Sequence, residues 1–345
     1  MAGSKKGMLS DVFDGTFRML SRTWLTTLVC GGVLFIPAAL LYGWSFGRFF
    51  DAIAAMAEAE ESDSILLSMG LGYLWIMVAA LLLGFAMLFV RACVTEHTAR
   101  LARGESPDLP GIVWHVFSRR YGRLIGQRAL QYTILVAIMI GATLIGGISF
   151  GISLAVELPL VGTLGITLGV LAGAVIVTWL SIRWSLTLET VVIEDAKISS
   201  SLGRSEDLVR GAWWRVLGYT LLLSLMMGFA VSLIATPIVF FASIREYVRF
   251  LGGLLKGGEG EGDAISLMRS LFGGMGLRFA ILMYIQSLFA MLVTPVFMTL
   301  LFLELRKRTD AAAPADAPPA SELPAAELPA AELPASGPAG TQASP

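Results

Sequence analysis

The chain has 345 residues, 56% of them hydrophobic and only 15% charged, with a mean hydropathy of +0.75. Ordinary soluble domains carry about 25% charged residues, so a water-soluble domain with a polar exterior is excluded. The formal net charge of −1 supplies no basic field for nucleic acid, and none is expected as a partner.

The opening MAGSKKG is basic but stands well before the first apolar run, which is too long for a signal-peptide core and reads as a retained anchor. Between them, Leu9, Val12, Phe13, Phe17 and Leu20 recur at helical spacing with Lys and Asp opposite. Six apolar stretches follow, at about 25–46, 65–90, 129–153, 160–182, 216–243 and 279–303. Each is long enough to cross about 30 Å of hydrocarbon. Each must be helical, because lipid offers no partner to a free backbone N–H or C=O. The fold class predicted is therefore all-α, a polytopic membrane bundle of about six transmembrane helices with amphipathic interfacial helices on the cytoplasmic side.

Orientation follows from the cations. Putting the N-terminus inside places 19 Lys and Arg on inner segments and six on outer ones, Arg48, Arg245, Arg249, Lys256, Arg269 and Arg278. The first outer loop is acidic, with Asp51, Glu58, Glu60, Glu61 and Asp63. Both termini are expected in the cytoplasm.

Within the first span lies Pro37. Past the second span, the inner segment holds the two histidines, His97 and His115, with Glu96 the one adjacent metal-ligand candidate. Such a pair lacks the further ligands that a metal site needs. Cys30 and Cys93 form no CxxC or Cys/His cluster, so no zinc site or disulfide framework is indicated. A second amphipathic stretch, Ile112, Val113, Val116, Phe117, Tyr121 and Leu124, has Arg119, Arg120 and Arg123 on its other side. Helices of this kind lie in the headgroup layer with arginines near lipid phosphates.

Gly147 and Gly151 in span three, and Gly165, Gly169 and Gly173 in span four, recur every fourth residue. Missing side chains let helices approach closely, so these are candidate helix-packing faces, within the chain or in a homo-oligomer. Glu157 sits in the short outer turn between these spans, beside Pro159.

The third inner segment is the most charged. Leu202, Leu208, Val209, Ala212 and Trp213 form its amphipathic face. Glu189, Glu194, Asp195, Glu206 and Asp207 accompany Arg183, Arg204, Arg210 and Arg215. They are expected to pair at the cytoplasmic surface, and Glu189, Glu194, Arg204, Arg210 and Arg215 are the candidate functional surface. RLIG at 123–126 and RVLG at 215–218 open spans three and five and suggest an internal repeat of stretch, span, turn and returning span. Thr236-Pro237 and Thr294-Pro295 add candidate kinks to Pro37, since proline removes a helical hydrogen bond. The segment at 252–263 is glycine-rich but lacks a Walker-type lysine-serine pair, and reads as a linker. After Arg308, SELPA, AELPA and AELPA repeat, and 309–345 is expected to be a disordered cytoplasmic tail beside a membrane domain of 1–308.

The run RWSLTLETVVIEDAKISSSLGRSEDLVRGAWWRVLGYTLLL at 183–223 resembles the membrane domain attached to some bacterial glycerophosphoryl diester phosphodiesterases, and related six-span bacterial membrane proteins. The resemblance implies a bacterial cytoplasmic (inner) membrane protein. It does not imply phosphodiesterase activity, which in that family belongs to a separate soluble domain with a His-Arg motif that this chain lacks.

No HExxH, GxSxG or Walker motif occurs, so no enzymatic role, catalytic residue, metal or cofactor is expected. Charge deep in the spans is nearly absent, which argues against ion coupling. The function expected is a non-enzymatic accessory, organising or lipid-contacting module, with membrane lipids and another membrane protein or a second copy as partners. The alternative is a transporter or permease for a small or lipidic substrate, which requires a polar cavity lined by Gln131, Thr133, Gln286 or the Thr-Pro breaks.

Overall fold

An apolar run in lipid satisfies its own backbone only by coiling into a helix, and each of the six runs lies within one long helix. The computed structural model describes residues 8–56, 63–106, 108–155, 159–255 and 275–312. In chain order the helices are α1 (Met8–Met56), α2 (Asp63–Ala102), α3 (Leu109–His115), α4 (Tyr121–Ala155), α5 (Pro159–Arg183), α6 (Thr187–Ile193), α7 (Ile198–Val209), α8 (Trp213–Leu255) and α9 (Met275–Ala312). A π-helical turn, Val116–Arg120, joins α3 to α4. No strand occurs among the described residues. Six helices, α1, α2, α4, α5, α8 and α9, are long and apolar enough to cross a membrane. The protein is an all-α, multi-pass membrane protein.

Its surface is turned inside out relative to a soluble bundle. Val33, Leu81, Ile145, Leu168 and Phe229 are exposed at mid-span, as side chains facing lipid must be. The buried core concentrates at the end of the bundle that carries α3, α6 and α7. There, Val12 of α1, Leu208 and Val209 of α7, Val216 of α8, and Phe297, Leu301 and Phe302 of α9 form one cluster. Cys93 of α2, Ile112, Val116 and Leu124 from α3 to α4, and Leu188, Val191 and Val192 of α6 form a second.

The helices associate as close pairs, α1 along α2 and α4 along α5. Small residues set the second contact. A Cβ added at Gly169 would lie 2.9 Å from the Ala142 carbonyl oxygen, and one at Gly173 would lie 2.7 Å from the Ala142 Cβ. At Gly165 it would lie 2.5 Å from the Ser149 Cβ. These three glycines face α4. Gly147 and Gly151 do not pack against another helix of the same chain: a Cβ at either meets nothing within 4 Å. The α4 face toward α5 runs through Ala142, Gly146 and Ser149, at helical rather than four-residue spacing, so Gly146 does the packing and its neighbour Gly147 points away. A second close crossing joins α1 to α9, where a Cβ on Gly43 would overlap the Gly276 carbonyl oxygen, and the reverse.

Two of the three amphipathic stretches are not separate interfacial helices. The first is the start of α1, with Val12 buried and the Phe13 ring tilted at 55° against Phe297 of α9, centroids 5.2 Å apart. The second leads through the π turn straight into α4. Apolar residues of both stretches bury against neighbouring helices, which draws them into the bundle. Only α7 is a helix of its own, turning into α8 at Gly211, whose φ of 81° suits glycine. Pro37, Pro237 and Pro295 lie inside α1, α8 and α9, each assigned as one uninterrupted helix.

The glycine-rich segment begins as the last turn of α8, which runs to Leu255. The rest of it, Glu157, most of the acidic first loop and the ELPA repeats lie outside the described residues. The chain divides into a unit through Arg306 and a second from Lys307, of which the end of α9 to Ala312 is described.

Gly43→Ala is expected to destabilise the protein by about 1–3 kcal/mol, because the new methyl meets backbone rather than a movable side chain. Gly151→Ala should change stability by less than about 0.5 kcal/mol. Chemical unfolding of both variants in a mild detergent measures the difference.

Candidate functional site

The site is built around a carboxylate that the chain buries completely. After α5 ends at Arg183, the backbone turns back through Trp184 into α6, every residue of which from Thr187 to Val192 is buried. Ser205 of α7 ties that turn down: its hydroxyl donates to the Arg183 carbonyl at 2.8 Å and accepts from the Leu186 N–H at 3.2 Å. Glu189 of α6 is thereby held at 0% exposure. A buried carboxylate is costly unless a cation meets it, and Arg91 Nη2 donates to its Oε1 at 2.8 Å. Arg91 stands at the head of the buried run 92–99 of α2.

Beside this pair, α4 contributes a polar floor. Gln127, fully buried, donates to Thr187 Oγ1 at 2.9 Å and to Gln131 Oε1 at 3.1 Å. Arg128 Nη1 donates to the same Gln131 oxygen at 2.8 Å. Arg128 has no carboxylate within salt-bridge distance among the described residues.

Above the floor opens a cavity of about 1210 Å³, bounded by α2, α4, α5, α8 and α9. That exceeds the roughly 300–1,000 Å³ of common small-ligand pockets. One end is polar, lined by Arg91, Arg128, Gln131, Ser181, Ser185 and Thr220. The walls beyond are mostly apolar, with Leu223, Met227, Val231, Ala235, Phe240 and Leu282. Two stripes recur every fourth residue along them: Thr220, Ser224, Gly228, Ser232 and Thr236 on α8, and Leu282, Gln286, Ala290, Thr294 and Met298 on α9. At 1.5 Å per residue each stripe runs for roughly 24 Å, most of the thickness of a hydrocarbon core. Buried hydroxyls of Ser185 and Thr220 on the lining have no hydrogen-bond partner among the described residues.

Outside the cavity, the same end of the bundle is laced by ion pairs. Glu96 accepts from Arg100 and from Arg120, each at 2.8 Å. Arg120 sits in the π turn and also donates to the Val192 carbonyl. Arg123 meets Asp195 at 2.9 Å, and Asp195 adopts a φ of 55°, a left-handed conformation that Asp tolerates. Arg183 stacks 4.3 Å from the Trp179 ring and pairs with Glu206 at 2.6 Å. His97 is buried and hydrogen-bonds Thr26 at 3.0 Å. Cys30 and Cys93 meet across α1 and α2 as free thiols.

The candidate surface therefore splits. Glu194 pairs with Arg204 at 3.1 Å and with Arg306 at 3.5 Å, and Arg210 lies 3.6 Å from Glu206. Arg215 is exposed, without an ion pair among the described residues. Glu189 is no surface residue at all: α6 folds back into the bundle and takes its carboxylate to Arg91. Of the residues named for a polar cavity, Gln131, Gln286, Thr236 and Thr294 line one, whereas Thr133 is exposed outside it. Sequence reasoning missed Arg91 and Arg128, which count as loop cations by position, and Thr220, Ser224 and Ser232 of α8. The four-residue recurrence of Thr, Ser, Gly, Ser and Thr from 220 to 236 is the signal that finds them.

Fold and site together define a membrane protein with six helices of spanning length and an amphiphilic, partly open cavity between them. No family model, curated protein or solved structure matches the chain. Among the described residues no group of three or more His, Cys, Asp or Glu could hold a metal ion.

Glu189→Ala should cost about 3–5 kcal/mol, since it strands the Arg91 guanidinium. The double variant Arg91→Met with Glu189→Leu should recover much of that loss. A double-mutant cycle by chemical unfolding in detergent measures both.

Proposed function

We propose that this chain is a non-enzymatic, lipid-handling protein of a bacterial inner membrane that takes a single amphiphile into its helical bundle. The observation that carries the proposal is the cavity, polar and cationic at one end, with mostly apolar walls beyond it that are crossed by the Ser, Thr and Gln side chains of two stripes, each roughly 24 Å long. A molecule with a polar head and one or two long apolar chains matches that distribution. A small polar solute leaves the walls at Leu223, Met227 and Val231 without a partner. A wholly apolar ligand leaves Arg128, Ser185 and Thr220 desolvated without compensation, which costs free energy for each group.

In this reading both termini are cytoplasmic, and the α6–α7 end lies at the cytoplasmic face. The charge distribution supports that orientation. So do Trp114 and Trp214, which are 70% and 78% exposed at that end, where interfacial aromatics settle. The resemblance of 183–223 to bacterial membrane domains is consistent with the inner-membrane assignment.

A second reading, movement of the amphiphile across the membrane, is favoured by one feature. Thr236-Pro237 and Thr294-Pro295 place prolines directly after two lining residues on facing walls. Proline leaves the carbonyl four residues earlier without its helical donor, which gives α8 and α9 adjustable points beside the ligand path.

Gly228→Trp tests the binding proposal. Gly228 lines the cavity, and a Cβ there meets nothing within 4 Å, so the indole enters open space. The unaltered protein, purified in mild detergent, should retain lipid in native mass spectra, and Gly228→Trp should lose at least nine-tenths of it. Equal retention by both proteins would contradict the proposal.

A further inference from the structure

The cavity's charge says which amphiphile it takes. We infer that the ligand is a lipid with a net negative headgroup, its oxyanion held by Arg128 with the Ser185 and Thr220 hydroxyls. The inference rests on the amphiphile reading of the cavity and adds the headgroup class to it.

Three charged side chains, Arg91, Arg128 and Glu189, stand at the polar end, where the Tyr132 phenol also lines the cavity. Glu189 and Arg91 cancel: they are joined at 2.8 Å, and Glu189 is the carboxylate that the protein buries there. Arg91 Nε and Glu189 Oε2, both buried and otherwise unpartnered, are the natural second bond of that pair. Arg128 is left over. Its one hydrogen bond among the described residues goes to the neutral Gln131 oxygen. A guanidinium has five N–H donors, so Arg128 faces the cavity with most of its donors uncommitted and a formal charge of +1 uncancelled.

The neighbouring hydroxyls make the same case by a different route. Ser185 Oγ and Thr220 Oγ1 are buried, line the cavity and lack partners. Some hydroxyls elsewhere bond back to their own helix, as those of Thr143 and Thr167 do, while Thr95, Ser287 and Thr299 are also buried without a partner but do not line the cavity. A hydroxyl can donate to an oxyanion, whereas a quaternary ammonium accepts nothing from it and is repelled by Arg128. A zwitterionic headgroup brings its own cation into the polar end, and a net anion does not. The phosphate or carboxylate of an anionic lipid therefore completes the site, with its chains along the α8 and α9 stripes. A free phosphate supplies the same oxyanion but leaves the apolar walls empty.

The experiment uses the full-length protein in mild non-ionic detergent, offered equal amounts of phosphatidylglycerol and phosphatidylcholine with identical acyl chains. Bound lipid is counted by native mass spectrometry. The unaltered protein should favour phosphatidylglycerol by at least tenfold. Arg128→Gln should bring the ratio below threefold, and Arg128→Lys should keep it above fivefold. Gly151→Ala, on an open face away from the cavity, should leave the ratio as it was.

If Arg128→Gln fails to fold, judged by its melting temperature, the paired variant Ser185→Ala with Thr220→Ala replaces it and should lower the ratio at least threefold. Equal binding of the two lipids that Gly228→Trp abolishes would overturn the headgroup inference and leave the amphiphile reading standing. Lipid binding indifferent to Gly228→Trp would overturn both. Inorganic phosphate bound in an Arg128-dependent way, with neither lipid bound, would replace the lipid with a free anion and also overturn the proposal.

Discussion

A carboxylate with no exposure to solvent sits at the base of this bundle, and much of the architecture answers to it. Removing Glu189 from water is tolerable only because Arg91 reaches it from another helix. That single requirement ties α6 to α2. Ser205 then holds the turn that leads into α6, and Gln127 bonds Thr187 of the same helix. Long-range polar contacts from Arg91, Gln127 and Arg120 thus converge on a seven-residue helix that has too few turns to be stable alone. The consequence is a rigid polar floor, with α8 and α9 rising beyond it.

The walls obey a different constraint. Lipid supplies no hydrophobic force between helices, so close association depends on small residues and interlocking surfaces. Gly165, Gly169 and Gly173 give α5 that intimacy with α4, and Gly43 with Gly276 gives it to α1 and α9. Gly218 and Gly228 of α8 meet nothing within 4 Å. Where the glycine contacts are missing, space remains, and the hydroxyl stripe of α8 borders it. Tight pairing on one side and an open gap on the other follow from where the chain places its small residues in register.

Much of this was legible from residue patterns. Apolar length alone locates all six membrane helices, because the backbone in lipid has one solution. Composition also marks the polar candidates Gln131 and Gln286 correctly as cavity residues, since a polar side chain inside an apolar run has few other reasons to be there. Other features depend on three-dimensional register. Gly146 and Gly147 are adjacent letters, and only the helical rotation of 100° between them decides which one faces α5. Glu189 reads as one more charge in a charged segment, because nothing local shows that α6 folds inward. Arg91 and Arg128 flank apolar runs, where a snorkelling anchor and a cavity-facing cation look alike in a linear sequence. Their roles emerge only once α2, α4 and α6 are brought together.

In the function proposed above, α8 stands apart from α4 and α9 to make room for an amphiphile whose head lies at Arg128. An experimental density map of the full chain in lipid nanodiscs tests it most directly. Elongated density is expected from Arg128 along the Thr220 to Thr236 face of α8, with the Arg91–Glu189 pair closed beneath it. A map in which α8 packs side chain to side chain against α4 and α9, with no space between them, would contradict it.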